Sequence, residues 1–152
     1  MTPEEKLCEL NLTLPPVPKP AGAYVPAVRT GNLVFVSGQL PLVDGKLKYI
    51  GKIGADLNPE QGYDAAKICA LNALSILNEE AGTLDGISRI IRLGGFVCSA
   101  EGFTDQPQVV NGASELVGKI FGERGLHARV ALGVTELPLG AAVELEILAE
   151  VS

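Results

Sequence analysis

The chain is short of positive charge. Twelve lysines and arginines stand against 18 aspartates and glutamates in 152 residues, a formal net charge of -6. Binding to a phosphate backbone normally calls for a basic face, so nucleic acid is not an expected partner. Cysteine is scarce too. Cys8, Cys69 and Cys98 are odd in number, form no CxxC spacing and mostly sit in apolar surroundings, which points to reduced, buried thiols before a disulfide or a metal site. No cluster of ligating residues calls for a metal or an organic cofactor. Long hydrophobic runs are missing, so no segment is expected to cross a bilayer. Met1–Leu10 is acidic where a secretory signal has a basic start followed by an apolar run. The expectation is a soluble, cytoplasmic chain with one core of ordinary size, too short for two full domains.

What is present divides into a leading segment and a patterned domain. Residues 1–21 read as an N-terminal extension to a domain at 22–152: a short amphipathic piece, Glu4 to Leu12, and then Pro15–Pro20, whose proline density fixes an extended path. Two short strands follow, Tyr24 to Arg29 and Leu33 to Ser37, separated by the turn residues Thr30-Gly31-Asn32. Asp44-Gly45 marks a second reversal of type I′, so the sheet is expected to start as a meander. Asn58-Pro59-Glu60-Gln61 carries a cap, a first-turn proline and a reciprocal glutamine. Behind it Ala66, Cys69, Ala70, Ala73, Leu74 and Leu77 recur at helical spacing until Ala81-Gly82. Leu84 to Cys98 reads as a mostly apolar strand with a Gly94-Gly95 pair that suggests a bulge or a close backbone approach. Pro107 opens a second helix with Val110, Ala113, Val117, Ile120 and Phe121 on one side.

The last segment alternates. Val130, Leu132 and Val134, and then Val143, Leu145 and Ile147, flank Leu137-Pro138-Leu139-Gly140, a pattern that predicts an antiparallel hairpin. With the apolar set turned to the core, Arg129, Ala131, Gly133, Glu144 and Glu146 share the other face. In that hairpin Glu144 stands opposite Gly133 and Arg129 lies roughly 13 Å away. One small ligand touches both only if a neighbouring subunit supplies part of the site. The whole order suits an α+β fold, one mixed sheet with two helices packed on one face. The remaining face, rich in small and alternating polar residues, suits oligomerisation.

The Gly22–Val28 stretch GAYVPAV, Leu33–Leu42 (LVFVSGQLPL), the helix end NEEAG, and AR followed by LP and VELE resemble the RidA/YjgF family, also called the L-PSP endoribonuclease family, from about Gly22 to Val151. The resemblance implies a chorismate-mutase-like fold and a homotrimer whose sheets form a central barrel with intersubunit sites. It also implies hydrolysis of enamines and imines such as 2-aminoacrylate and 2-iminopropionate to a 2-keto acid and ammonia. By the same resemblance Arg129 binds the substrate carboxylate, Glu144 places or activates water, and Tyr24, Ser37 and Gly38 contact the ligand. Ala131 contributes at most its carbonyl, and Asn111 is structural. The family's common Tyr-Ser-Gln-Ala is Tyr24-Val25-Pro26-Ala27 here, and Val130 and Ala131 replace a serine and a cysteine found in other members, which makes the expected pocket rim more apolar.

The bland readings stand beside these. Arg129 by pattern is a strand-end arginine in a surface ion pair, Glu144 and Glu146 are solvated edge positions, Tyr24 is a core aromatic with its hydroxyl at the rim, and Ser37 caps a turn. His127, the sole histidine, reads as a loop residue. Two other functions remain in view: a module that binds small 2-keto or amino acid carboxylates without chemistry, and an endoribonuclease, against which the acidic balance and single histidine both speak.

Overall fold

Capping chemistry sets where the longest helix begins. In the computed structural model, which describes residues 1–152, the Asn58 side chain accepts from the Gln61 N–H and the Gln61 side chain accepts from the Asn58 N–H. That box satisfies two donors a helix start leaves unpaired. Helix α2 (Pro59–Ala81) runs on to Gly82, whose φ of 85° favours glycine. Its predicted stripe is completely buried from Ala66 to Leu77. Helix α3 (Gln106–Phe121) buries Val110, Ala113, Val117, Ile120 and Phe121 in the same way. The two helices meet at Gly112, where a Cβ would collide with the Tyr63 carbonyl.

Both helices cover one face of a five-stranded sheet ordered β1-β2-β7-β5-β6. Its strands are β1 (Ala27–Thr30), β2 (Leu33–Gln39), β5 (Ile87–Cys98), β6 (Ala128–Val134) and β7 (Val143–Val151). The short hairpin of β3 (Leu42–Val43) and β4 (Lys46–Leu47) turns at Asp44 and Gly45, both with positive φ, as a type I′ turn requires. It stands as a separate two-stranded sheet, so the meander ends at β2. Ahead of the sheet, α1 (Pro3–Glu9) inserts Leu7 into the core, and Leu10, Leu12, Leu14 and Val17 continue the contact along the strap that follows. Ser75 of α2 donates to Pro15 O at 2.5 Å and ties the proline run down.

The expected terminal hairpin does not form. Strand β5 lies between β6 and β7, parallel to β6 and antiparallel to β7. The physical reason is the position of α3: a helix between β5 and β6 gives the crossover that a parallel pair needs, and the long apolar β5 takes both neighbours. Glu144 therefore stands opposite Phe96, not Gly133.

The face assignment of β6 is corrected as well. Arg129, Ala131 and Gly133 are in register with Leu93, Gly95 and Val97. Leu93 and Val97 are fully buried, and a Cβ on Gly95 would strike Val110 of α3. These three β6 residues thus face the helices, and Val130, Leu132 and Val134 face the other way. In β7 the prediction holds, with Val143, Leu145 and Ile147 in the core and Glu144 and Glu146 on the open face. Phe35, Leu132 and Val28 leave large apolar surface on that open face, 48, 47 and 56 % exposed.

Candidate functional site

The candidate residues separate into two groups. The first surrounds Glu144. Between Val36 and Gln39 the β2–β7 register slips, which lifts Ser37 and Gly38 out of the regular ladder. Ser37 Oγ donates to Val25 O at 2.7 Å and its N–H to Pro26 O at 2.8 Å, so this serine holds the Tyr24–Pro26 segment over the slip. Gly38 then offers bare backbone to Glu144: a Cβ there would fall 2.9 Å from Glu144 Cδ. Gly94 does the same for Glu146, 2.7 Å from Oε1. Glu146 is engaged by Arg92 at 3.2 Å, whereas no cation pairs with Glu144. Burial, and after it the neighbouring Glu146 charge, hold the Glu144 carboxyl above the usual carboxylate range.

A cavity of about 200 Å³ opens beside this carboxyl, with Tyr24, Pro26, Gly38 and Pro138 in its wall and Pro18 and Lys19 of the strap across it. The Tyr24 hydroxyl accepts from the Ala21 N–H at 3.3 Å, and the ring is half exposed, so it is no core aromatic.

The second group surrounds Arg129, on the opposite face. Its Nη1 donates to Asn111 Oδ1 at 2.7 Å and to Ser114 Oγ at 3.2 Å, and Nη2 donates to Pro107 O at 3.4 Å. All three acceptors are neutral and belong to α3. No carboxylate of its own chain pairs with Arg129, so the surface ion pair is excluded. His127 contributes from behind: Nδ1 lies 2.6 Å from Gly125 O and Nε2 2.9 Å from Ser114 Oγ. A carbonyl only accepts, so Nδ1 carries a proton; with the ring neutral, Nε2 accepts from Ser114, whose oxygen accepts from Arg129.

Sequence reasoning gave His127 and Ser114 no part. Their signals were spacing: His127 is two residues from Arg129, on the same side of an extended segment, and Ser114 is three from Asn111 on one helix face. Ala131 faces the helices and packs at the core margin, away from the Glu144 cavity. By register, Arg129 and Glu144 are two strands apart and three residues out of step, about 14 Å between Cα atoms, with the sheet between their side chains. No group of three or more His, Cys, Asp or Glu side chains comes together to hold a metal ion. Cys69 and Cys98 are buried, Cys8 is exposed, and none is paired.

The family model described as "YjgF/chorismate_mutase-like, putative endoribonuclease" matches residues 4–151. The chain belongs to the YjgF/chorismate mutase-like family. The YjgF match starts inside α1, so it takes in the strap as well as the sheet and helices. Among its relatives, Protein TCP17 of Trypanosoma cruzi is 44 % identical over 147 residues, covering 96 % of this chain and 92 % of that one. A solved structure from Shewanella oneidensis superposes with a TM-score of 0.97 at 36 % identity, covering 99 % of this chain and 100 % of the other. A YjgF-type relative of Dermatophagoides farinae named 2-iminobutanoate/2-iminopropanoate deaminase is 28 % identical over 136 residues, 89 % of this chain and 91 % of its own. No helix is long and apolar enough to cross a membrane.

Proposed function

We propose that the protein hydrolyses reactive imines and enamines of the 2-iminopropionate and 2-aminoacrylate type to a 2-keto acid and ammonia. The observation that carries this reading is Arg129: a guanidinium held in place by neutral acceptors, with its charge left for a ligand. A planar guanidinium binds a carboxylate through two parallel bonds and stays charged at any physiological pH. The name of the mite relative supports the same chemistry.

The site is composite in this reading. Arg129 and Glu144 are too far apart, and on opposite faces, for one small imine to reach both within a chain. Two copies in a closed homotrimer bring the Arg129 edge of one subunit against the Glu144 cavity of the next, with the open faces of the sheets, and Phe35 and Leu132 on them, turned together inside. Arg129 fixes the carboxylate and so orients the C=N carbon. Water lies against Glu144, which in its ionised form takes a proton as the oxygen adds to that carbon. Glu144 returns that proton to the nitrogen, then takes the hydroxyl proton of the tetrahedral intermediate and passes it to the amine as well, so the C–N bond breaks and ammonia leaves as the C=O forms. Placement supplies most of the acceleration. The chemistry draws on no metal or organic cofactor. Tyr24, Ser37 and Gly38 shape the Glu144 side, while Asn111 holds Arg129. Residues 1–21 act in this reading as an extension wrapped around the domain at 22–152, and the unpaired thiols suit a cytoplasmic setting.

The test is 2-keto acid release from an imine generated in situ by an amino-acid oxidase. Arg129→Ala is expected to lower kcat/KM by about 10- to 150-fold, the worth of hydrogen bonds to a charged group. Rates equal to wild type would refute the assignment. A second reading, carboxylate binding without chemistry, draws on the apolar Val25, Pro26 and Val130 in place of polar family residues. It predicts that Glu144→Gln changes neither ligand affinity nor 2-keto acid release.

A further inference from the structure

Asn72 is one of very few polar side chains buried in the interior, 2 % exposed in the middle of α2. Its Nδ2 donates to Leu40 O and to Leu42 O, each at 3.1 Å. An amide nitrogen has two hydrogens, so both are used, and the nitrogen's side of the amide is fixed. Oδ1 points the other way and meets no donor of the chain. Because no fully enclosed side-chain oxygen goes unpaired in this protein, Oδ1 must open onto the space beside it.

That space is a cavity of about 390 Å³ between the proline strap and the β3–β4 hairpin, lined by Pro15, Pro18, Lys19, Leu42, Asp44 and Asn72. It adjoins the cavity of Glu144, since Pro18, Lys19 and Leu42 line both. Leu40, whose carbonyl anchors Asn72, also belongs to the Glu144 wall. The strap that roofs this space is fastened at Pro15 by Ser75, and Val17 packs on the core. Asn72 and Asp44 line the outer cavity and not the Glu144 one, so two acceptors lie beyond a passage walled by Pro18, Leu42 and Lys19.

We propose that this second cavity is a subsite for the substrate's side chain, selecting imino acids whose side chain is long and ends in N–H donors, as an amide or a ureido group does. The inference rests on the reading above that the Glu144 cavity receives the reacting imine. Prolines and Leu42 match the methylenes of such a chain, and its terminal N–H groups meet Asn72 Oδ1 on the floor and the Asp44 carboxylate at the rim. An apolar tail of equal length strips water from Oδ1 and returns no hydrogen bond, a loss buried acceptors make costly.

Imines generated in situ from alanine, norleucine and citrulline separate side-chain length from terminal donors. The expected result is a kcat/KM at least about tenfold higher for the citrulline imine than for the norleucine imine, the difference one satisfied acceptor makes. Asn72→Leu brings that ratio to about one, and Asp44→Asn, a residue that keeps the positive φ of this exposed turn, lowers it several-fold. If wild type hydrolyses the alanine imine and shows no preference between the two long ones, the subsite is refuted and the proposed function stands. If no imine is hydrolysed, the proposed function falls, and equilibrium binding of the matching 2-keto acids then decides the subsite: a tighter ureido acid supports it, and equal affinities overturn it.

Discussion

Glu144 lies directly on the backbone of Gly38, close enough that a Cβ at residue 38 would come within 2.9 Å of its Cδ and nearer still to Oε2. Gly38 is not among the positive-φ glycines, so alanine fits the backbone there and the strain falls on the carboxylate. Gly38→Ala is expected to fold and to lose about tenfold to a hundredfold in kcat, since displacing a catalytic group by about 1 Å costs that much. Steady-state rates on an in situ imine check this, with a thermal melt to establish that the variant folds.

The Glu144 carboxyl sets the pH dependence. Its folded pKa is raised, first by burial and then by Glu146, so the fold favours the neutral form. The stability that follows is fully present below the unfolded pKa and is lost as pH rises through the folded one. Glu144→Gln, neutral throughout, should therefore gain in Tm relative to wild type as pH goes from acid to neutral. Activity runs the other way, because the base must be ionised. It should fall on acidification through a pKa above the ordinary carboxylate value, and Glu146→Gln should move that limb to lower pH. Parallel melts and pH–rate profiles measure both.

The open sheet face makes a further prediction. Phe35 and Leu132 expose apolar surface there, which burial against a second copy would remove from water. Phe35→Glu and Leu132→Glu should each shift wild-type oligomers toward monomer in analytical ultracentrifugation and lower imine turnover in parallel. A wild-type monomer would remove the basis of the composite site.

Local chemistry was legible and long-range pairing was not. Asn58 and Gln61 announce α2 because a capping box is complete within a few residues, and the buried stripe behind them has only one helical reading. β6 shows the limit. Alternation of Val130, Leu132 and Val134 says that these residues share a face, but not which face, and here the side chains β6 turns to the open face are apolar. What decides is Gly95 against Val110, a contact between a strand and a helix that periodicity does not carry. The chain order likewise concealed β5 between β6 and β7, and with it the placement of Arg129 and Glu144 on opposite sides of the sheet. The resemblance supplied Tyr24, Ser37, Gly38 and Glu144 as a set. Their proximity depends on the β2 register slip between Val36 and Gln39, where Gly38 inside a strand was the available sign.

The composite site is tested most directly by mixing two inactive variants. Arg129→Ala and Glu144→Gln, co-expressed with different tags and purified as mixed trimers, are expected to recover about a third of wild-type imine turnover, since one of the three junctions in each mixed ring joins an intact Arg129 to an intact Glu144. Mixed oligomers as inactive as either parent would contradict a site built across two subunits.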